Sequence, residues 1–262
     1  MRLWLILFKK EFKESLRNFK WLWIPLVLIL LGIMQPVTSY FLPDILESFG
    51  DLPEGAILNF PVPTAAQVLA ETIGQFNQIG VLIIVLAFMG IITGERNKGT
   101  NVMVLVKPVP FSTYITTKWV HMSLLMISAF LLGFLIALYY TFELIGTVPM
   151  SHVFKGMLVY CLWLLFITSI LLLFSVLFNS TAAVAALTLG TTITLSLLSS
   201  LTPKLMAWSP GMLVSHTFRF FETGSAGDGF WLAAIITAVI IFISLVASTY
   251  IFKNKEVVSH TT

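Results

Sequence analysis

The chain has 262 residues, 58% of them apolar and 10% charged, with a net charge of +3 and a single cysteine. A soluble domain carries about 25% charged residues, so this composition leaves little room for one. The lone Cys161 excludes an internal disulfide and a cysteine-held metal cluster.

The few charges are unevenly placed. None falls in 21–43, 72–94, 119–142, 156–203 or 229–252. A helix needs about 20 apolar residues to cross a bilayer, and a charge at its centre costs on the order of 3 kcal/mol. Four windows hold one span each, and 156–203 holds two. The expected fold is therefore an all-α integral membrane protein with six transmembrane helices in one membrane domain over 21–252. An amphipathic interfacial helix over 1–20 precedes it, and a tail over 253–262 follows.

In chain order, residues 3–20 pattern as an amphipathic helix. Phe8, Phe12, Leu16 and Phe19 form an apolar stripe, and Lys9, Lys13, Arg17 and Lys20 a basic one beside it. Such a helix suits a membrane interface, with its apolar stripe in lipid and its lysines toward anionic headgroups. The bland alternative is a charged leader that only sets topology. Span 1 is expected at about 21–41, ending at Pro43. An acidic, Pro- and Gly-rich loop follows over 44–71, and span 2 over about 72–94. Gln75, Asn77 and Gln78 at the start of span 2 are too polar to face lipid. Gly90 and Gly94 have the spacing that admits a close helix neighbour, or are tolerated glycines near a helix end.

Span 3 is expected at 119–142, span 4 at 155–178 and span 5 at 181–201, with an N-cap signal in the run Phe178-Asn179-Ser180-Thr181. Ala182, Ala186 and Gly190 recur every four residues in span 5, a seam for close packing against another helix. The hydroxyls beside it (Thr188, Thr191, Thr192, Ser196, Ser199, Ser200) either line a pore or bond back to their own helix. Short helices are expected in 202–228, and span 6 at 229–252.

Orientation follows from the basic residues. The segments before span 1, between spans 2 and 3 and after span 6 hold 12 of the 15 Lys and Arg, whereas 44–71 holds none. The positive-inside rule then places both termini in the cytoplasm. The leader is long and contains Glu11 and Glu14, and no small-residue cleavage site follows span 1, so a removed signal peptide is not expected.

The connection 95–118 is the best candidate for a functional element. It combines Glu95, Arg96, a Gly99-Thr100 turn, the apolar set Val102, Leu105, Val106 and Val109, and a rigid Pro108-Val109-Pro110. The apolar residues are close enough in sequence to share one face of a short helix, and an exposed apolar face calls for a partner.

These residues resemble the permease subunit of a bacterial ABC-2 type transporter. The resemblance rests on Glu95, Gly99-Thr100, Leu105, Lys107-Pro108-Val109, Ser112, Tyr114-Ile115 and Lys118, and on the start Lys9-Lys10-Glu11-Phe12-Lys13-Glu14-Ser15-Leu16-Arg17-Asn18. Gln35-Pro36, Leu52-Pro53-Glu54-Gly55, Gln75-Phe76-Asn77 and Glu95-Arg96-Asn97 are similar to the YxlG-like subgroup. Thr113 departs from the family, which often has a basic residue there.

The resemblance implies a multi-pass protein of the plasma membrane acting as an exporter. Two permeases, identical or homologous, sit on two separate ABC ATPase subunits. Those subunits bind the ATP and Mg, and spans 1 and 5 usually form the interface between permeases. It also implies that a cytoplasmic coupling helix in 95–118 passes ATPase movement to the spans. Glu95, Arg96, Gly99, Thr100, Val102, Leu105, Val106 and Pro108 are then the coupling residues, and Ala182, Ala186 and Gly190 the subunit-packing ones. The chain itself has no GxxxxGK[ST] phosphate loop. It is expected to be no enzyme and to hold no cofactor or metal, and no nucleic acid is expected among its partners.

Other classes stay open at this point. An intramembrane enzyme or a haem or metal subunit needs clustered ligands, whereas the four histidines are dispersed and no HExxH occurs. An ion-coupled carrier usually places ionisable groups inside its spans.

Overall fold

The computed structural model describes residues 2–49, 63–99 and 109–259. All regular structure among them is helical, and six helical segments are long and apolar enough to cross a membrane. The N-terminal helix α1 (Arg2–Arg17) precedes α2 (Lys20–Phe49), the first span. The apolar span itself, Lys20–Leu42, ends where the sequence predicts, while the helix continues past both Pro36 and Pro43. Each proline removes one backbone hydrogen bond, a loss a long helix survives.

Span 2 is four pieces in sequence: α3 (Ala65–Gln75), a π-helical turn (Phe76–Gly80), α4 (Val81–Phe88) and, beyond a break, α5 (Thr93–Asn97). It starts earlier than the charge-free window because Thr64 caps it. The Thr64 hydroxyl accepts from the Gln67 N–H at 3.3 Å, and the Gln67 side chain accepts from the Thr64 N–H at 2.8 Å. Glu71 therefore lies in the helix and accepts from Gln35 at 2.6 Å.

Span 3 is α6 (Phe111–Leu144), begun at Pro110, so Ser112, Tyr114 and Lys118 belong to its first turns and not to a loop. Span 4 is α7 (Met150–Leu177). Span 5 is α8 (Thr181–Leu201), whose first turn is capped by Ser180 as the sequence pattern suggests. One helix, α9 (Met212–Thr223), occupies the segment before span 6. It ends at Gly224 in the left-handed region, φ 69°, and packs along α7 and α3. Span 6 is α10 (Phe230–Ser259).

Spans 1 and 3 make the closest pairing. A Cβ built on Gly32 would lie 2.3 Å from the Gly133 carbonyl oxygen, and one on Gly133 would lie 2.6 Å from that of Leu28. Backbones in contact gain dispersion energy that no side chain at the crossing would allow. The pair Gly90 and Gly94 plays no such role. Gly90 lies within the break at residues 89–92, where a Cβ would meet the Thr181 methyl at an ordinary 3.6 Å, and among the described residues outside its own helix none comes within 4 Å of a Cβ on Gly94.

The buried core of aromatic and branched residues runs through spans 1 to 4 and takes in α9, with Phe130, Phe134, Tyr160, Trp163 and Phe221 at its centre. Span 5 and span 6 expose most of their length. In span 5 the hydroxyls of Thr188, Thr191 and Thr192 bond back to carbonyls one turn earlier. Ser196 instead accepts from Asn77, and Ser199 bonds Ser209.

Replacing Gly133 with Ala forces the two backbones apart and is expected to cost about 1–3 kcal/mol. Gly190→Ala, where the added methyl meets nothing within 4 Å, should leave the protomer's stability unchanged. Thermal unfolding in detergent checks both, and equal midpoints for the two variants would refute the crossing.

Candidate functional site

Charged groups from three elements meet at one end of the bundle. Lys10 and Glu11 come from α1, Glu95 from α5, and Tyr114 and Lys118 from the first turns of α6. The Lys118 ammonium lies 2.9 Å from Glu11 Oε1 and 3.0 Å from Glu95 Oε1. Lys10 Nζ lies 2.7 Å from the same Glu95 oxygen and 3.3 Å from Glu11. The Tyr114 hydroxyl donates to the other Glu95 oxygen. Lys118 is 1% exposed, so its charge has almost no water to rely on. Two carboxylates and two ammonium groups close a neutral quartet, the arrangement that makes such burial tolerable.

The pairs Lys10–Glu95 and Glu11–Lys118 fix where α1 sits. Phe8 and Phe12 face the imidazole of His121 edge-on, and Ser15 bonds His121 Nε2 at 2.8 Å while accepting from Trp21 at 3.0 Å. The stripe Phe8, Phe12 therefore covers span 3, where the sequence pattern suggested lipid. Glu11, Glu14 and Glu95 offer oxygens within 4.8 Å of one another. Lys10 and Lys118 already lie among them, so the cluster is a salt-bridge network in which lysine supplies the positive charge.

Burial and the neighbouring Lys118 both lower the Lys10 pKa, but Glu11 and Glu95 outweigh them and the net direction is upward. Its contribution is thus complete below the ordinary lysine pKa and is lost only as pH rises through the raised value, so the pairing persists at neutral pH.

The break in span 2 is stitched to its surroundings. Ser175 of α7 accepts from the Ile92 and Thr93 N–H groups at 3.1 and 3.2 Å, replacing the helical partners that the break removes. On the other side Lys20 donates to the Ala87 carbonyl at 2.6 Å, with its ammonium 4.7 Å from the Phe88 ring centroid. Beyond the break, Arg96 reaches the Asn179 side chain at 2.9 Å and Asn97 the Asn179 carbonyl at 3.1 Å. Lys255 of α10 donates to the Val176 and Leu177 carbonyls that end α7. The five residues of α5 thus touch α1, α6, α7 and the α7–α8 turn.

Of the residues singled out in the sequence, Glu95 and Arg96 lie in this hub. Gly99 follows it with φ 67°, the left-handed conformation that favours glycine. Thr100, Val102, Leu105, Val106 and Pro108 lie outside the described residues. Ala182, Ala186 and Gly190 are exposed along one side of α8, away from the hub's contacts. Sequence reasoning missed the pairing of Lys10 and Glu11 with Glu95 and Lys118, although all four sit in the two stretches that carry the resemblance.

Breaking the quartet at its most buried member should be the most damaging. Lys118→Met leaves Glu11 and Glu95 to share Lys10 alone, and a loss on the order of 3 kcal/mol is expected. Lys10→Met should cost clearly less, because its side chain is 38% exposed and water can replace it. Unfolding midpoints of the purified variants provide the check; a milder effect at Lys118 than at Lys10 would contradict the burial argument.

The sequence model of the family described as "ABC-2 family transporter protein" matches residues 5–257. The chain is also 30% identical to the uncharacterized transmembrane protein YxlG of Bacillus subtilis (strain 168), over 98% of this chain and 99% of that protein. A membrane protein of six spans, matched from end to end by that family, belongs to the ABC-2 family of transporter proteins.

Proposed function

We propose that this chain is the permease subunit of an ATP-driven exporter in the plasma membrane, with both termini cytoplasmic. A second permease, identical or homologous, pairs with it, and two separate ABC ATPase subunits bind and hydrolyse ATP with Mg. The loop 95–118 is the coupling element: Val102, Leu105 and Val106 dock in a cleft of the ATPase, Gly99, Thr100 and Pro108 shape the loop, and Glu95 and Arg96 pass its movement on.

The observation that carries this reading is the position of Glu95. It stands at the start of the loop and is bound at once to Lys10, Lys118 and Tyr114. A pull on the loop is thereby a pull on α1 and span 3, while Arg96 and Asn97 carry it to the α7–α8 turn. The break at 89–92 separates α5 from α4, and Ser175 and Lys20 hold its two sides. An ion-coupled carrier is the weaker reading, since Lys10 and Lys118 already supply the positive charge among the hub's buried carboxylates. The basic residues gathered at the termini and in 95–118 support the orientation.

Docking two or three of the apolar side chains contributes roughly 1.5–3 kcal/mol each before the costs of association. Leu105→Asp should therefore release the ATPase, because a buried unpaired carboxylate is costly. Glu95→Gln should leave the complex assembled while substrate-stimulated ATP hydrolysis falls by roughly tenfold, within the usual range of couplings between sites. Co-purification and ATPase assays of both variants form the test. An ATPase retained at parental yield and salt resistance by Leu105→Asp would show that this loop is not the docking element.

The seam Ala182, Ala186, Gly190 is the proposed contact with the second permease, supported by its exposure in the single chain. Leu at position 186 should keep the helices from close approach. Dimer content in detergent and lipid is then expected to drop by tenfold or more, taking about 1.4 kcal/mol as a tenfold step. A fully dimeric, active Ala186→Leu protein would place the seam in lipid.

A further inference from the structure

We infer that the inner end of span 6 belongs to the coupling machinery, with Phe252 and Lys255 as positioning residues that hold Tyr114 on Glu95 and the end of α7 against α5. This role rests on the coupling proposed for the loop 95–118 and extends it to a span where the sequence suggested none. Span 6 buries one stripe at helical spacing: Ala233, Thr237, Ile241, Ser244, Ser248 and Phe252. Up to Ser248 the stripe is small or aliphatic, which suits close packing along span 4. Phe252 departs from that pattern. Its ring is fully buried and reaches span 3, where it stacks on Tyr114 with centroids 5.0 Å and planes 13° apart and meets Phe111 edge-on at 5.9 Å. Tyr114 is the residue that donates to Glu95, and the Lys118 ammonium lies 5.0 Å from the centroid of the same ring. A phenol turns about two side-chain bonds, so its hydroxyl stays on one carboxylate oxygen only while the ring is held. An aromatic ring stacked on its face supplies that hold.

Lys255 follows Phe252 by three residues, so the two are neighbours on one face of the helix. Its ammonium lies 2.5 Å from the Leu177 carbonyl and 3.2 Å from that of Val176. Arg96 of α5 reaches the same Val176 carbonyl at 3.5 Å. The last carbonyls of a helix have no partner within it, and here the end of α7 takes one cation from α5 and one from span 6. A single turn of span 6 is thus joined to α5 twice, through Tyr114 to Glu95 and through Val176 to Arg96. Movement of α5 reaches span 6 along both routes, and a turn of span 6 about its own axis disturbs both together.

The experiment places 3-fluorotyrosine at position 114 of the full-length permease in nanodiscs, alone and in complex with its co-purifying ATPase, and follows the fluorine resonance. A slowly flipping ring is expected in the permease alone, and a resonance that moves when ATP and Mg are added to the complex. Phe252→Leu and Phe252→Met keep most of the buried volume and remove the ring. Both should speed the flipping and lose the ATP-dependent shift while the complex stays assembled; a residue that only fills space would be replaced by either without that loss. Lys255→Met, at an exposed position, should leave the flipping unchanged and reduce the ATP-dependent shift. Shifts of parental size in Phe252→Leu and Lys255→Met would overturn the inference alone. An assembled parental complex whose resonance ignores ATP would overturn the coupling reading, and this inference with it.

Discussion

One constraint organises the N-terminal end of this protein: the Glu95 carboxylate is mostly out of water and needs positive charge from two different elements. Lys118 rises from span 3 and Lys10 comes from α1, so the three segments have to meet at one point. Glu11 completes the balance by pairing with Lys118. A network of this kind adds little net stability over a well-packed apolar core, because desolvation offsets most of the attraction. What it supplies is register. A shift of α1 by one residue would remove Lys10 and Glu11 from their partners, while the aromatic contacts of Phe8 and Phe12 with His121 would slide together with them.

The second dependency is the interruption of span 2. An opened helix in hydrocarbon leaves N–H and C=O groups that have to be satisfied from outside. Ser175 accepts from two of the freed donors, and Lys20 caps a freed acceptor. Both partners come from neighbouring spans, so the break is a fixed joint with defined attachments. The segment beyond it is only one turn and a half long, too short to be stable alone. It is held almost entirely by side chains, and that is what lets it transmit displacement without unfolding the span behind it.

The six spans were legible because the bilayer writes them into the sequence as charge-free windows. That signal fails where a charge is buried. Lys118 closed the window for span 3 too late by two turns, since a rule based on absent charge cannot see a charge that is neutralised in place. Span 2 began early for a different reason: Thr64-Ala-Ala-Gln67 is a readable capping box, overshadowed by Glu71 next to it. The stripe Phe8, Phe12 was visible as a stripe, but periodicity tells which face is apolar and not what covers it. The quartet was hidden by distance. Lys10 is 85 positions from Glu95 and Glu11 is 107 from Lys118, and no local pattern links either pair.

The crossing of Gly32 and Gly133 joins spans that are synthesised at different times. Span 1 leaves the insertion machinery long before span 3 exists, so its glycine face waits without a partner while span 2 is made. When span 3 follows, Lys118 enters with it as a lone cation two turns inside a membrane helix, and its flexible stem keeps the ammonium at the interface. Only closure of the glycine crossing brings the start of span 3 under α1, where Glu11 and Glu95 are placed to receive that charge. Burial of Lys118 therefore depends on α1, α5 and span 3 all being in place at once.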